Sequence, residues 1–355
     1  MKALILIGGE GTRLRPLTTN TLKSLVPIVN RQFFRYQLDV LKRHGIKEVI
    51  LSICHLPDRI KHIMGTGKEY GMNIRYVMED TPLGTGGAVK NAEMYFDDTM
   101  IVMNGDILTD INLKKLLEIH TTNKAIASIS LHEVADPTAY GLVNTDEKNR
   151  IKSFIEKPTW TDIKSKWINA GIYMFDKRIL KYIPAGKNYS LERGVFPEIL
   201  AKGETVMAYK SDSYWLDIGR IDKYTQANFD ILEKKFKVEV AFKKKMKWDV
   251  KIGNKTVVHR KATLRGPIVI GDFCNIGEVT MNPLTIIGNH TEIGKNSNLE
   301  RCIIWDNVKI GENVTIKNSI IGKGCEIQSD CVIDNAAIGD GTKMTQFTKS
   351  GTGAM

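Results

Sequence analysis

The chain has 355 residues, 42% of them apolar and 8% aromatic, with a net charge of +11 at pH 7. That length allows two domains with sizeable cores, and no apolar run approaches the roughly 20 residues a membrane-spanning helix needs. Cys54, Cys274, Cys302, Cys325 and Cys331 are an odd number without CxxC spacing, which argues against a disulfide framework or zinc site and for reduced thiols in a cytoplasmic protein. Lys243, Lys244, Lys245 and Lys247 add to the positive charge; no nucleic-acid motif accompanies them, so a solvated face or a preference for anionic small substrates is the better account.

The first apolar run, Ala3–Ile7, is too short for a signal peptide and reads as a strand ending in Gly8-Gly9-Glu10-Gly11-Thr12-Arg13. Further strands are predicted at Glu48–Ile53, Asn73–Val77 and Met100–Met103, alternating with helices at Phe33–His44, Pro57–Met64 and Gly86–Tyr95. This alternation predicts an α/β fold, a Rossmann-like, mainly parallel sheet with helices on both faces. Ligands of such sheets bind beyond the carboxyl ends of the strands. Gly8–Arg13 follows the first such end and Asp106 the fourth.

A catalytic domain is expected over residues 1–235 and a Lys-rich connection over 236–258. Then the period changes. Ile270, Ile287, Ile304, Ile321 and Ile338 recur every 17 residues, as do Ile276, Ile293, Ile310 and Ile327, and Leu299, Ile316 and Ile333. Glycine follows many of them. Several near-hexapeptide units per coil predict a solenoid over 259–344, with isoleucines stacked in columns and Gly or Asn at tight corners. Residues 345–355 lack the pattern and read as a loose tail.

The first glycine turn is neither a dinucleotide fingerprint, which needs glycine where Leu14 stands, nor a P-loop, which needs GK[ST] after four residues. Its glycines still let backbone N–H groups approach oxygens, and Arg13, Arg15 and Lys23 add charge suited to a polyphosphate.

GGEGTRLRPLT followed by Lys23 and LVPI resembles the signature of the sugar-phosphate nucleotidylyltransferases. So do, in chain order, PLGTGGAVKNA (82–92), NGD (104–106), YG (140–141), EKP (156–158), NAGIY (169–173) and WLDIG (215–219). The solenoid resembles the left-handed hexapeptide β-helix found in many members. The resemblance implies transfer of a nucleotidyl group from an NTP to a sugar 1-phosphate, with release of pyrophosphate. The sugar phosphate is already an anionic nucleophile, so such an enzyme must mainly align two anions and neutralise charge.

Carried onto this chain, the resemblance makes Asp106 and Asp217 the Mg²⁺ ligands. Arg13 holds the β and γ phosphates, Lys23 lies near the transferring phosphoryl, and Lys157 binds the sugar phosphate. Leu6, Gly8, Gly9, Gly11, Thr12, Glu79, Gly84 and Asn104 complete the nucleotide site. Gly141, Glu156, Asn169 and Gly171 line the sugar pocket. A carboxylate such as Glu79 accepts from the adjacent donors of guanine. PLGTGGAVKNA and SLERGVFP (190–197) look most like mannose-1-phosphate guanylyltransferases, so GTP and mannose 1-phosphate are the expected substrates. Glucose-1-phosphate thymidylyl- or uridylyltransferases and GDP-heptose-forming enzymes are the alternatives. A nucleotide-sugar-binding regulatory subunit, and an acyltransferase using His290, are weaker rivals. A homo-oligomer is expected, since β-helices often stack. The chain departs from the family where Leu22 and Ser24 replace the prolines beside Lys23, and where Arg220-Ile221 replaces Thr-Pro.

Overall fold

The computed structural model describes residues 1–55, 57–163, 165–236, 244–246 and 249–351. The expected connection over 236–258, with its lysine cluster, therefore lies partly outside the described residues. Contacts divide the chain into two compact units: Met1–Glu10 with Phe34–Asp217, and Gly11–Phe33 with Ile218–Met355.

The first unit is built on one sheet. Its opening elements are β1 (Lys2–Ile7), α1 (Phe34–Arg43), β2 (Glu48–Ile53), α2 (Pro57–Met64), β3 (Asn73–Met78), α3 (Gly84–Asn91) and β4 (Thr99–Asn104). They sit within a few residues of the runs predicted from periodicity. β1, β2, β3 and β4 are parallel in the order β3-β2-β1-β4. The order reverses between β1 and β4, where an α/β sheet opens a crevice at its carboxyl edge. Then come β5 (Ile107–Thr109), α4 (Leu113–Thr122), β6 (Ala127–Glu133), β7 (Gly141–Thr145), β8 (Ile151–Glu156), β9 (Trp167–Asp176), α5 (Phe196–Ala201), β10 (Val206–Lys210) and β11 (Trp215–Asp217). β9 runs antiparallel to β4, β6 and β7, while β10 is parallel to β6. The sheet is thus a parallel nucleus with an antiparallel extension.

Helices cover both faces, and the side-chain alternation shows it. Ile129 joins Leu4, Val102, Val89 of α3 and Phe196 of α5 in one buried cluster. Its neighbour Ser128 points to the opposite face, where it meets buried His120 of α4 at 3.1 Å.

In the second unit the coils stack as three parallel ladders of short strands, a left-handed β-helix. The columns form in the expected register: Ile270 on Ile287, Ile287 on Ile304, Ile304 on Ile321, and Ile276 on Ile293 on Ile310 on Ile327. These side chains are at most 4% exposed, and each contributes about 1.5–3 kcal/mol of burial. Strand pairing continues to Lys349–Gly351, on Val332–Asp334, which carries the ladder into the segment expected as a tail.

The corners divide the labour more finely than the sequence suggests. Left-handed backbone falls on Asn296, Asn313, Asp330 and Phe347 in one column and on Leu284, Arg301, Asn318 and Asn335 in another. The glycines that follow the isoleucines do a different job. A Cβ on Gly288 would sit 2.5 Å from the carbonyl carbon of Trp305 and 2.6 Å from the nitrogen of Asp306. Such glycines let successive coils approach rather than supply an unusual φ.

Candidate functional site

The carboxyl edge of the sheet gathers most of the predicted residues. Leu6 on β1 is paired with Asn104 at the end of β4, and the next N–H, Gly105, donates to the Leu6 carbonyl at 2.9 Å. A Cβ at position 105 would lie 2.5 Å from that oxygen, so the turn that delivers Asp106 requires glycine. Beyond β1, Gly8 and Gly9 are exposed, and nothing lies within 4 Å of where a side chain on Gly9 would begin. That is open space beside two backbone amides at the switch point of the sheet.

Asp106 and Asp217 come from segments more than a hundred residues apart and arrive at the same place. β11 pairs antiparallel with β5: Trp215 opposite Thr109, Leu216 opposite Leu108, Asp217 opposite Ile107. Asp106 directly precedes Ile107. Opposed residues in such a ladder have Cα atoms roughly 4.5–5.5 Å apart, so both carboxylates sit at one end of a two-stranded ribbon. Both are half-buried. The donor set, two hard oxygen anions at one edge, fits Mg²⁺, which takes one or two carboxylates and completes its shell with phosphate oxygens and water.

Side chains that the sequence does not single out hold this edge. Gln37 on α1 is 2% exposed and donates from Nε2 to the carbonyls of Asn104 (2.8 Å) and Ile107 (3.2 Å), bracketing Asp106. Its signal was a polar residue on the apolar stripe of Phe34, Leu38 and Leu41. Trp215 donates from its indole to the Ala170 carbonyl at 2.8 Å, stacks on His132, and takes the edge of Tyr140. It thereby ties the Asp217 strand to the NAG segment. Burial lowers the pKa of His132, which suits a neutral ring against Trp215. Gly171, at φ +70°, leaves room for Asn104, whose Nδ2 would lie 2.6 Å from a Cβ there. The Asn104 Oδ1 is buried with no hydrogen-bond partner among the described residues.

The sugar-pocket candidates also converge. Gly141 is paired with Glu156 across the β7–β8 ladder. Lys157 is exposed, sits at φ +51°, and is fixed by its N–H to the Tyr140 carbonyl at 3.1 Å. Asn169 accepts from the Gly171 N–H at 3.0 Å and donates to the Tyr173 hydroxyl at 2.8 Å. Tyr173 donates in turn to Glu192 at 3.3 Å, which also accepts from Thr85 and Ser190. Glu192 is thus a second acid beside the sugar-pocket candidates, and only its place in SLERGVFP hinted at it. Burial, and then the like charge of Glu192, raise the pKa of Glu156.

Two nucleotide-site candidates have structural tasks. Glu79 is 7% exposed; one oxygen accepts from Ser52 (2.8 Å) and the other from the Leu83 N–H (3.0 Å). It braces the approach to α3. Gly84, at φ +70°, would place a Cβ 2.8 Å from the Tyr189 carbonyl, which also takes the N–H groups of Gly86 and Gly87. These glycines seat α3 against the 187–189 backbone.

In the second unit, Gly11 at φ +69° opens a short 3-10 turn, Thr12–Leu14. Leu14 and Leu17 are fully buried while Thr12 and Arg13 are exposed. A Cβ on Gly11 would lie 3.2 Å from the Cβ of Lys23, so the glycine brings Lys23 close to the turn bearing Arg13. Both residues that stand where the family has proline are buried. Leu22 is 7% exposed and holds φ −65°, the value proline would impose, and Ser24 is 2% exposed. His290 stacks flat on Phe273 at a coil corner.

Residues 2–234 match the family model for nucleotidyl transferase, and residues 247–350 that for the EIF2B subunit epsilon LbH domain. The chain is 39% identical over 232 residues to a mannose-1-phosphate guanylyltransferase of Mycobacterium tuberculosis, covering 65% of this chain and 64% of the relative. It is 31% identical over 309 residues to a UTP–glucose-1-phosphate uridylyltransferase of Synechocystis, covering 78% and 80%. Among solved structures it resembles HddC from Yersinia pseudotuberculosis complexed with GMP-PN, with a TM-score of 0.56 and 31% identity over 66% of this chain and 99% of that one. No described helix is long and apolar enough to cross a membrane. With the family match, the β1–β4 switch point and the β-helix in hand, the chain belongs to the nucleotidyl transferase family.

Proposed function

We propose that the chain condenses GTP with mannose 1-phosphate to give GDP-mannose and pyrophosphate, through a catalytic domain spanning residues 1–235 followed by a β-helix whose parallel ladders run from Val250 to Gly351. The observation that carries the reading is the β5–β11 ladder, which brings Asp106 and Asp217 to one end beside the open backbone of Gly8 and Gly9. When bound there, Mg²⁺ supplies charge neutralisation to the nucleotide phosphates. The amides of Gly8 and Gly9 and the side chain of Asn104 orient the nucleotide. Arg13 and Lys23 offset the charge that builds on the phosphate oxygens as the P–O bond to pyrophosphate breaks. Lys157 binds the sugar phosphate, while Glu156, Glu192 and Asn169 accept or share hydrogen bonds with sugar hydroxyls and so aim the nucleophile.

The preference for mannose rests on the guanylyltransferase relatives, and that for GTP on those relatives and on the likeness to HddC complexed with GMP-PN. The test is a panel of four NTPs against mannose, glucose and heptose 1-phosphates with Mg²⁺, products identified by mass. GDP-mannose as the dominant product is the expected result. UDP- or dTDP-glucose as the dominant product would replace it, and no nucleotide sugar from any pair would refute the reading.

A further inference from the structure

The segment that carries Arg13 and Lys23 is packed into the same compact unit as the β-helix, and the contacts are specific. The Thr21 hydroxyl donates to Asp340 Oδ2 at 3.0 Å, although 319 residues separate them. The other oxygen of Asp340 accepts from the Lys323 N–H at 2.8 Å, fixing the carboxylate within its coil. At the other end, Asn30 Nδ2 donates to the Ile287 carbonyl at 2.6 Å. Between them runs a chain of bonds: the Trp305 indole N–H to the Tyr224 hydroxyl at 2.9 Å, and that hydroxyl to the Pro27 carbonyl.

The backbone held by these contacts is strained. Pro27–Ile28 pairs with Arg31–Gln32 around a two-residue turn, Val29-Asn30, with φ of 47° and 59°. Both central residues of such a turn need positive φ. Asn tolerates it, but a β-branched residue there is an outlier that persists only where surroundings over-determine it. Here the Val29 N–H donates to Asn228 Oδ1 at 2.8 Å and its side chain is 2% exposed.

We propose that the β-helix is the positioning device for the phosphate loop: Thr21–Asp340 and Asn30–Ile287 clamp residues 11–33 so that Lys23 and Arg13 are aimed, doing what two prolines do elsewhere in the family. This rests on the proposed nucleotidyl transfer for its kinetic consequence, but not for its structural one. A loop restrained from outside needs no stiffness of its own, and displacing an aligned group by even an ångström is expensive in rate.

The test uses the full chain. Thr21→Val removes one clamp with little change of shape, and Asn30→Gly removes the other while keeping positive φ accessible. The double variant is expected to lose about tenfold or more in kcat with KM for the sugar phosphate changed less than about twofold. Amide exchange in residues 17–30 should quicken, with the coil core over 298–321 unchanged. Thr21→Ser should restore most of the rate to a Thr21→Val background, which simple loss of packing would not predict. Asn313→Ala, at a different coil corner, should leave both readouts alone. Unchanged exchange in the loop overturns the proposal whatever the activity; faster exchange with unchanged kcat overturns its kinetic half. Absence of turnover in the native protein would instead count against the proposed activity, and the exchange comparison would still decide the clamp.

Discussion

The two units build order in opposite ways. In the sheet unit the important partners are far apart and irregular: Thr85 meets Glu192 across 107 positions, and Tyr214 meets Asp110 across 104. In the β-helix the same backbone-to-side-chain bond recurs every 17 positions, from Asp272 to Asn289, Asn289 to Asp306, and Lys323 to Asp340. A change in the sheet unit should therefore strike one function at one place. A change in the solenoid should weaken one rung of a ladder whose neighbours are nearly identical, and so act on stability in proportion to the apolar surface that rung no longer buries.

The largest expected effect is on the sheet side. Asp217→Ala should lower turnover by roughly 10²–10³-fold at saturating Mg²⁺. Thermal stability should change far less than turnover, because the β5–β11 ladder that carries the residue is bonded through the backbone. Measuring pyrophosphate release and melting on one preparation checks both. A variant with near-native turnover removes Asp217 from the metal site. The counterpart in the solenoid is Ile304→Ala. Ile304 is fully buried in the middle of its column, so the cavity should cost about 2–5 kcal/mol, read from denaturant unfolding, with much less effect on kcat than Asp217→Ala.

The same contrast explains what could be read from the sequence. The columns were legible because a repeat reports its own contacts: Ile287 sits on Ile304 for the reason that Ile304 sits on Ile321. The parallel strands were legible because they are short apolar runs between amphipathic helices. At the site, the motifs led one to expect Asp106 and Asp217 together, but not the ribbon that joins them, since nothing local in WLDIG names Ile107 as its partner. Gln37, Trp215 and Glu192 were missed for the same reason; each acts through a contact made across the fold. Glu79 shows a second kind of contact that sequence does not report: its oxygens accept from Ser52 and from the Leu83 N–H, partners its local motif does not name.

Acidity separates the units next. Burial holds the pKa of His120 down at about 4, with Asp176 opposing and Arg178 assisting. The unfolded chain takes up a proton near pH 6.5 while the folded one does not until about pH 4, so stability is full above that window and falls as pH drops through it. Between pH 7 and pH 5 the loss from this residue should be roughly 1–2 kcal/mol. His120→Gln, which can still reach Ser128, should flatten that part of the profile in denaturant titrations at the two pH values. The coil interior offers no such handle: burial pushes the Cys302 thiol up to about 12, so it stays neutral throughout.

The smallest effect tests whether the repeat's surface matters at all. Lys295 and Glu312 face each other one coil apart at 3.4 Å, with side chains 60% and 51% exposed. An exposed pair of this kind is screened by solvent and opposed by side-chain entropy, which leaves about 0–1 kcal/mol. Lys295→Ala should shift unfolding by no more than about 0.5 kcal/mol, and adding salt should erase even that. Lys261–Glu278 repeats the arrangement in the same column at 3.9 Å, and Glu326–Lys343 does so in another column at 3.2 Å. A loss of about 2 kcal/mol or more from the single substitution, well above the range for an isolated exposed pair, would mean that the ladder of charges acts as a connected network. The solenoid would then share the sheet unit's dependence on particular residues, and the contrast between repeated and unrepeated order would fail at the surface while holding in the core.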